Sequence, residues 1–184
     1  MRRIMRGLRG ILGYACSSPR AFIAAGITCA MAMSAVLPAG SEELTAEAYA
    51  AHVGGKLIEP GKLVIDNQSL YCGRRPTVLD PNLDDYGAAF PGFVILNPNL
   101  LARVSTPVKL WIYAHECAHQ FRGPDEAIAD CFAVQRGRRQ GWLTTRGLDQ
   151  VCAFITPARG SVMHPPGPER CRLMRQCFAE RRVR

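Results

Sequence analysis

The chain has 184 residues, with 23 Lys or Arg against 15 Asp or Glu, which gives a formal net charge of +8. The first 39 residues contain five arginines and no acid, so the remainder carries 18 basic and 15 acidic residues, a net charge of +3. This small excess argues against a nucleic-acid partner, and the length fits a single domain once the first segment is set aside.

Residues 1–39 have the pattern of an export signal. Arginines come first, an uncharged run follows over residues 21–37, and Pro38 and Ala39 close the segment. This order predicts a signal peptide that is cleaved after Ala39. The alternative is an uncleaved anchor, because about 17 apolar residues is the short end of what spans a bilayer. In either case we expect residues 40–184 to form one domain that is periplasmic or secreted, with membrane contact only through an uncleaved leader.

The elements predicted after the leader are mostly helices. A helix is expected to begin at Ser41, and a strand is expected over residues 63–70. A looser segment follows, and then a short apolar run over residues 93–96 predicts a buried strand between two turn signals. Four more helices are predicted, over residues 106–121, 124–137, 144–155 and 168–181. The pattern predicts a helix-rich α+β fold with a small sheet.

The first of these four helices carries His115-Glu116-Cys117-Ala118-His119, an H-E-x-x-H pattern. Side chains four residues apart lie one above the other on a helix, so the two imidazoles can hold one zinc ion. Glu116 lies beside such an ion and is the candidate general base for a water molecule. The alternative is a pair of core histidines with polar neighbours.

A catalytic zinc ion needs a third protein ligand. Glu126 is the expected ligand, and Asp130, one turn further on, is the expected hydrogen-bond partner of a ligand histidine. Asp125 remains an alternative ligand, because it lies six residues after His119, as the third ligand does in metzincin-type peptidases. Arg122 stands where that type has a glycine, which favours Glu126.

His164 is the candidate for a supporting catalytic role. An imidazole outside the ligand set can stabilise the oxyanion that forms when water attacks a peptide carbonyl. The alternative is that His164 only precedes the last helix.

Together these motifs resemble the gluzincin zinc metallopeptidases of the CAAX-prenyl-endopeptidase and HtpX-like group. The likeness consists of H-E-x-x-H at 115–119, E-x-x-A-D at 126–130, H-P-P-x-x-x-R at 164–170 and the strand at 91–96, and it covers residues 88–173. It implies a zincin-like domain with a two-helix metal site, zinc ligands His115, His119 and Glu126, and Glu116 as base.

The same resemblance implies roles for the residues around the metal. Asp130 would orient a ligand, and His164 and Arg170 would lie at the far wall of the cleft. An extended peptide would pair with residues 93–96 as an edge strand. The connection between His119 and Glu126 is shorter here than in that group.

Six cysteines follow the leader, and an even number in an exported chain predicts disulfides. They are Cys72, Cys117, Cys131, Cys152, Cys171 and Cys177. No C-x-x-C spacing supports a thiolate zinc site. Cys171 and Cys177 share a predicted helix, so we expect each to bond to another segment, and Cys117 to bond to Cys131 or Cys72. Three disulfides, or two and a spare pair, are expected.

From these features we expect a zinc-dependent endopeptidase that hydrolyses peptide bonds in protein or peptide substrates through a metal-activated water. Two alternatives stay open at this stage. One is a zinc-containing envelope protein that acts as a non-catalytic binding module, and the other is a disulfide-stapled domain without a metal.

Overall fold

A computed structural model describes residues 44–161 and 164–180. The predicted signal segment and the expected helix start at Ser41 lie outside the described residues, as do residues 181–184. All described residues belong to one compact unit. Among them, no helix is both long enough and apolar enough to span a bilayer.

The described residues form six helices and a small mixed sheet, which confirms the α+β prediction. The helices are α1 (Ala46–Val53), α2 (Pro98–Leu101), α3 (Thr106–Arg122), α4 (Glu126–Gln140), α5 (Thr145–Ile155) and α6 (Gly167–Ala179). The strands of the main sheet are β1 (Lys56–Ile58), β4 (Thr77–Leu79), β5 (Gly87–Phe90) and β6 (Phe93–Leu96). A separate hairpin consists of β2 (Leu63–Ile65) and β3 (Gln68–Leu70).

The main sheet has the order β1-β4-β6-β5. Strand β6 is parallel to β4 and antiparallel to β5, and β1 is antiparallel to β4. All four residues of β6 are buried, since Val94 and Leu96 face the larger core and Phe93 and Ile95 face the smaller one. The expectation that residues 93–96 form the edge strand is therefore wrong: a strand that is apolar on both faces belongs inside a sheet. The edge next to it is β5.

Two cores enclose the sheet. The smaller core lies under α1, and the larger core is built around α3, which packs against β5, β6, α4 and α5. Helix α3 is consequently buried along most of its length.

Several helix caps and boundaries differ from the predictions. The side chain of Thr45, rather than Ser41, caps α1. Ser105 occupies the cap position of α3, and the hydroxyl of Thr106 instead donates to Asp66 at 2.7 Å. Helix α4 continues past Gly137 to Gln140. A Cβ at position 137 would lie 2.6 Å from the Trp142 ring, so this glycine provides for close packing rather than a helix end.

The predicted strand over residues 63–70 is a hairpin. Asp66 and Asn67 have φ values of 46° and 65°, the pair of positive angles that a tight hairpin turn of type I′ requires. The segment between the hairpin and β6, predicted to be irregular, contains strands β4 and β5, which were not predicted from the sequence.

Three disulfides connect the elements and confirm the prediction from the cysteine count. They join Cys72 to Cys117, Cys131 to Cys177 and Cys152 to Cys171. Cys117 thus takes one of the two expected partners, and Cys171 and Cys177 bond to other segments as expected. Disulfides of this number indicate an oxidising, extracytoplasmic setting.

Candidate metal centre

Helix α3 presents His115 and His119 to the same point. Their ring centroids are 4.8 Å apart, and the two Nε2 atoms are 3.1 Å apart. The helix ends at Gly123, whose φ of 80° suits a glycine. The Gly123 carbonyl turns back and accepts a hydrogen bond from Nδ1 of His119 at 2.8 Å.

The short connection to α4 brings a carboxylate to these rings. Glu126 is the first residue of α4, with Oε2 3.2 Å from Nε2 of His115 and Oε1 3.5 Å from Nε2 of His119. The neighbouring Asp125 caps α4, and its carboxylate accepts from the backbone N–H of Ile128. Of the two candidate third ligands, Glu126 thus lies beside the two histidines, whereas Asp125 caps the N-terminus of α4.

The polar contacts behind the rings decide which nitrogen faces the centre. Nδ1 of His119 donates to a carbonyl, so its Nε2 carries a lone pair. Nδ1 of His115 lies 3.0 Å from Oδ1 of Asp130, and this carboxylate favours a proton on Nδ1. Two lone pairs and a carboxylate consequently point at one small volume, an arrangement that repels itself unless a cation or proton lies there.

The spacing of these donor atoms fits a zinc ion. Ligand atoms about 2.0–2.2 Å from a tetrahedral zinc are about 3.3–3.5 Å from one another. The two Nε2 atoms are 3.1 Å apart, Oε2 of Glu126 is 3.2 Å from Nε2 of His115, and Oε1 of Glu126 is 3.5 Å from Nε2 of His119. One ligand atom from each residue lies within 4.8 Å of the other two. Oε2 of Glu126 is buried without a hydrogen bond, which leaves it available as a ligand. Two imidazoles and one carboxylate form a donor set of the kind that zinc takes in proteins, and His115, His119 and Glu126 make a group that could hold a metal ion.

Protonation competes with a metal at this group. Burial lowers the pKa of His115, but Asp130 and Glu126 outweigh burial and raise it to about 9. Burial acts to raise the pKa of Glu126, but the contacts with His115 and His119 hold it well below its usual range. In metal-free protein a proton therefore occupies the centre, and a metal ion must displace it.

Asp130 supports the centre from behind. It is fully buried, and both oxygens accept hydrogen bonds of 2.8 Å from the guanidinium of Arg170. Arg170 also lies 3.6 Å from Glu126 and stacks over the ring of Trp111 at 5.5 Å. Asp130 and Arg170, which the resemblance placed around the metal, thus form one ion pair that contacts His115 and Glu126.

Glu116 lies beneath the edge strand β5. A Cβ at Gly87 would be 3.0 Å from Cγ of Glu116, so the absence of a side chain at position 87 makes room for this glutamate. Its carboxylate has no hydrogen bond or ion pair with any described residue. Burial raises the pKa of Glu116, although the imidazoles of His115 and His119 act in the opposite direction. A carboxylate with a raised pKa is a better proton acceptor near neutral pH.

His164 lies beside the ligand group on its open side. Its Nε2 is 3.2 Å from Oε1 of Glu126, and its side chain is 54% exposed. The Ser161 hydroxyl accepts a hydrogen bond from the His164 backbone N–H at 3.1 Å. The imidazole is therefore close to the centre yet open to solvent and to any bound molecule.

Gln120, which sequence reasoning missed, joins the metal helix to the β5–β6 turn. Its side-chain amide donates to the carbonyls of Phe90 and Phe93 at 2.8 and 3.0 Å and accepts from the N–H of Gly92 at 3.1 Å. These partners are 27 to 30 residues away along the chain, so no local sequence signal identifies the contact.

The fold and the centre together define an α+β domain with a two-helix His-His-Glu group. Comparisons with protein-family models, with curated proteins and with solved structures found no match to this chain. Its function therefore has to be argued from its own residues.

Proposed function

We propose that this chain is a zinc-dependent endopeptidase of zincin-like architecture. The observation that carries the proposal is the convergence of two imidazole lone pairs and one carboxylate at separations of 3.1–3.5 Å. The three residues present a donor set that suits zinc, and the partly buried Glu116 beside them adds the general base that hydrolysis requires.

In this proposal the chain's own residues divide the work. His115, His119 and Glu126 hold the zinc ion, which when bound supplies a Lewis acid that activates water and polarises a carbonyl. Glu116 accepts the proton of the attacking water and delivers it to the leaving amine. Asp130 keeps the proton of His115 on Nδ1, so that Nε2 remains free as a ligand.

The substrate is proposed to bind as an extended peptide along β5. This strand pairs only with β6 among the described strands, so its other edge is free to accept a peptide by β-augmentation. Ala88 and Phe90 pack into the smaller core, so by alternation Gly87 and Ala89 face α3. The small residue at position 87 lets β5 lie close to Glu116, so a peptide paired with the free edge of β5 would pass near this base.

His164 is proposed to donate a hydrogen bond to the carbonyl oxygen as it gains negative charge. Its exposure, and its distance of 3.2 Å from Glu126, suit a group that meets the substrate rather than the metal. The disulfides support action outside the cytoplasm, in the periplasm or in the surrounding medium.

The test combines elemental analysis with one substitution. Protein purified without added zinc should contain one zinc ion per chain, and a peptide library should be cleaved in a chelator-sensitive way. Glu116→Gln should keep the zinc and lower kcat/KM by about 10²–10⁴-fold, whereas the exposed Glu59→Gln should change neither.

Each alternative has its own outcome in this test. Zinc without cleavage by the wild-type protein would favour the non-catalytic binding module. Absence of zinc would leave a disulfide-stapled domain. Full activity in Glu116→Gln would remove the proposed mechanism.

A further inference from the structure

A cavity of about 320 Å³ lies on a different side of α3 from the histidine pair. Cys117 contributes to its wall, and a residue two positions from both His115 and His119 leaves the helix on another face. Three aromatic rings, those of Tyr71, Phe121 and Phe132, form much of the remaining wall. The cavity is therefore distinct from the proposed metal centre.

A buried cation lines this cavity without an anionic partner. Arg136 is only 8% exposed, and its guanidinium donates to the Tyr71 carbonyl at 2.6 Å, to Oε1 of Gln140 at 3.2 Å and to Sγ of Cys117 at 3.5 Å. All three acceptors are neutral. Within residues 44–161 and 164–180, Arg136 forms no ion pair with a carboxylate. Buried charges are normally paired, because an unpaired charge in a low-dielectric site is costly.

Two more arginines add positive charge: Arg139 lines the cavity, and Arg75 lies against Phe121, which is part of the cavity wall. The guanidinium of Arg75 lies 4.2 Å from the centroid of the Phe121 ring, and its Nε is buried without a hydrogen-bond partner in the described structure. Arg139 is exposed and lines the cavity. Neither has an acidic partner among the described ion pairs. Several unpaired cations around one concave site attract anions.

From these contacts we propose that the cavity binds a small molecule in which an oxyanion, a phosphate or a carboxylate, is attached to an aromatic body. The guanidinium fork of Arg136 supplies the buried partner for the oxyanion, and Arg139 contacts it from the mouth. The aromatic wall stacks on the ligand body. No residue of the metal centre lines this cavity, so the anion-site proposal can be tested independently of the peptidase proposal.

The test measures binding to the full chain, as purified, by isothermal titration calorimetry. The probes are phenyl phosphate, benzoate, inorganic phosphate and the uncharged benzyl alcohol. Phenyl phosphate or benzoate should bind, phenyl phosphate more tightly than inorganic phosphate, and benzyl alcohol should not bind measurably. The comparison of phenyl phosphate with benzoate identifies which oxyanion the site prefers.

Two substitutions locate the binding. Arg139→Gln, at an exposed position that leaves the fold intact, should weaken phenyl phosphate binding by about tenfold, and Arg136→Met should abolish it. Arg159→Gln removes an exposed arginine elsewhere and should leave the affinity unchanged. If Arg136→Met does not fold, Arg75→Gln replaces it with an expected loss like that of Arg139→Gln. The proposal is overturned if no anionic probe binds, if benzyl alcohol binds equally well, or if Arg139→Gln behaves as Arg159→Gln does.

Discussion

The substitution Asp130→Asn tests how much Asp130 contributes to zinc affinity, because it leaves the three proposed ligands His115, His119 and Glu126 unchanged. Both carboxylate oxygens of Asp130 accept hydrogen bonds from Arg170, and Oδ1 also lies 3.0 Å from Nδ1 of His115. An asparagine of the same shape must turn its NH₂ group toward one of these donors. The variant therefore loses one hydrogen bond and leaves the charge of Arg170 compensated only by Glu126 at 3.6 Å.

The expected magnitudes follow from the burial of this pair. Removal of one partner of a fully buried ion pair costs about 3–5 kcal/mol of folding free energy. The asparagine retains one acceptor for Arg170, so we expect a loss near the lower end, about 3 kcal/mol. Because His115 is no longer held in one tautomer, zinc affinity should fall by about 10–100-fold.

The assays are chemical denaturation of the metal-free protein and competition for zinc against a chromophoric chelator. Asp149→Asn is a matched control, since Asp149 and Arg175 form an exposed pair at 2.7 Å with side chains 55% and 48% exposed. That substitution should cost no more than about 1 kcal/mol and leave zinc affinity unchanged. Equal effects of the two substitutions on zinc affinity would refute the role given to Asp130.

Four further outcomes are expected. The raised pKa of His115, about 9 against about 6.5 in the unfolded chain, stabilises the metal-free protein below about pH 6.5. Thermal denaturation should show that stability decline as pH rises toward 9, while zinc affinity rises; a flat profile for both would contradict the assignment. Gly87→Ala adds a Cβ 3.0 Å from the base and should lower kcat while zinc content, read by elemental analysis, stays constant. Gln120→Ala removes three hydrogen bonds to the β5–β6 turn and should raise KM for long peptides more than for dipeptide substrates; equal changes in KM would indicate general destabilisation. Replacement of both Cys72 and Cys117 by serine should lower the free energy of unfolding by about 2–4 kcal/mol, measured in denaturant, with zinc still bound.

Local patterns account for the parts of the centre that the sequence predicts. His115 and His119 share a helix face because of their spacing alone, and Gly123 with Pro124 marks the short turn that brings Glu126 to them. The ambiguity between Asp125 and Glu126 could not be resolved from spacing, because it depends on which carboxylate caps α4. The structure separates them through one hydrogen bond to Ile128.

Long-range contacts account for what the sequence does not predict. Strand β5 has the sequence Gly-Ala-Ala-Phe, and glycine and alanine are poor strand formers, so its position comes from pairing with β6. The place of β6 inside the sheet depends equally on β4, a short strand in a segment rich in proline and acids. Gln120 and Gly87 acquire their importance only when these strands meet α3.

The connection between α3 and α4 has a consequence for movement within the molecule. All three side chains of the proposed metal group lie within residues 115–126, on two helices joined by three residues. A shift of the sheet relative to the helices would therefore change the distance between β5 and Glu116 while the arrangement of the three proposed ligands stayed intact. If the chain is the proposed peptidase, access for the peptide would depend on the contacts of Gln120 with the sheet, and metal binding would depend on the α3–α4 connection alone.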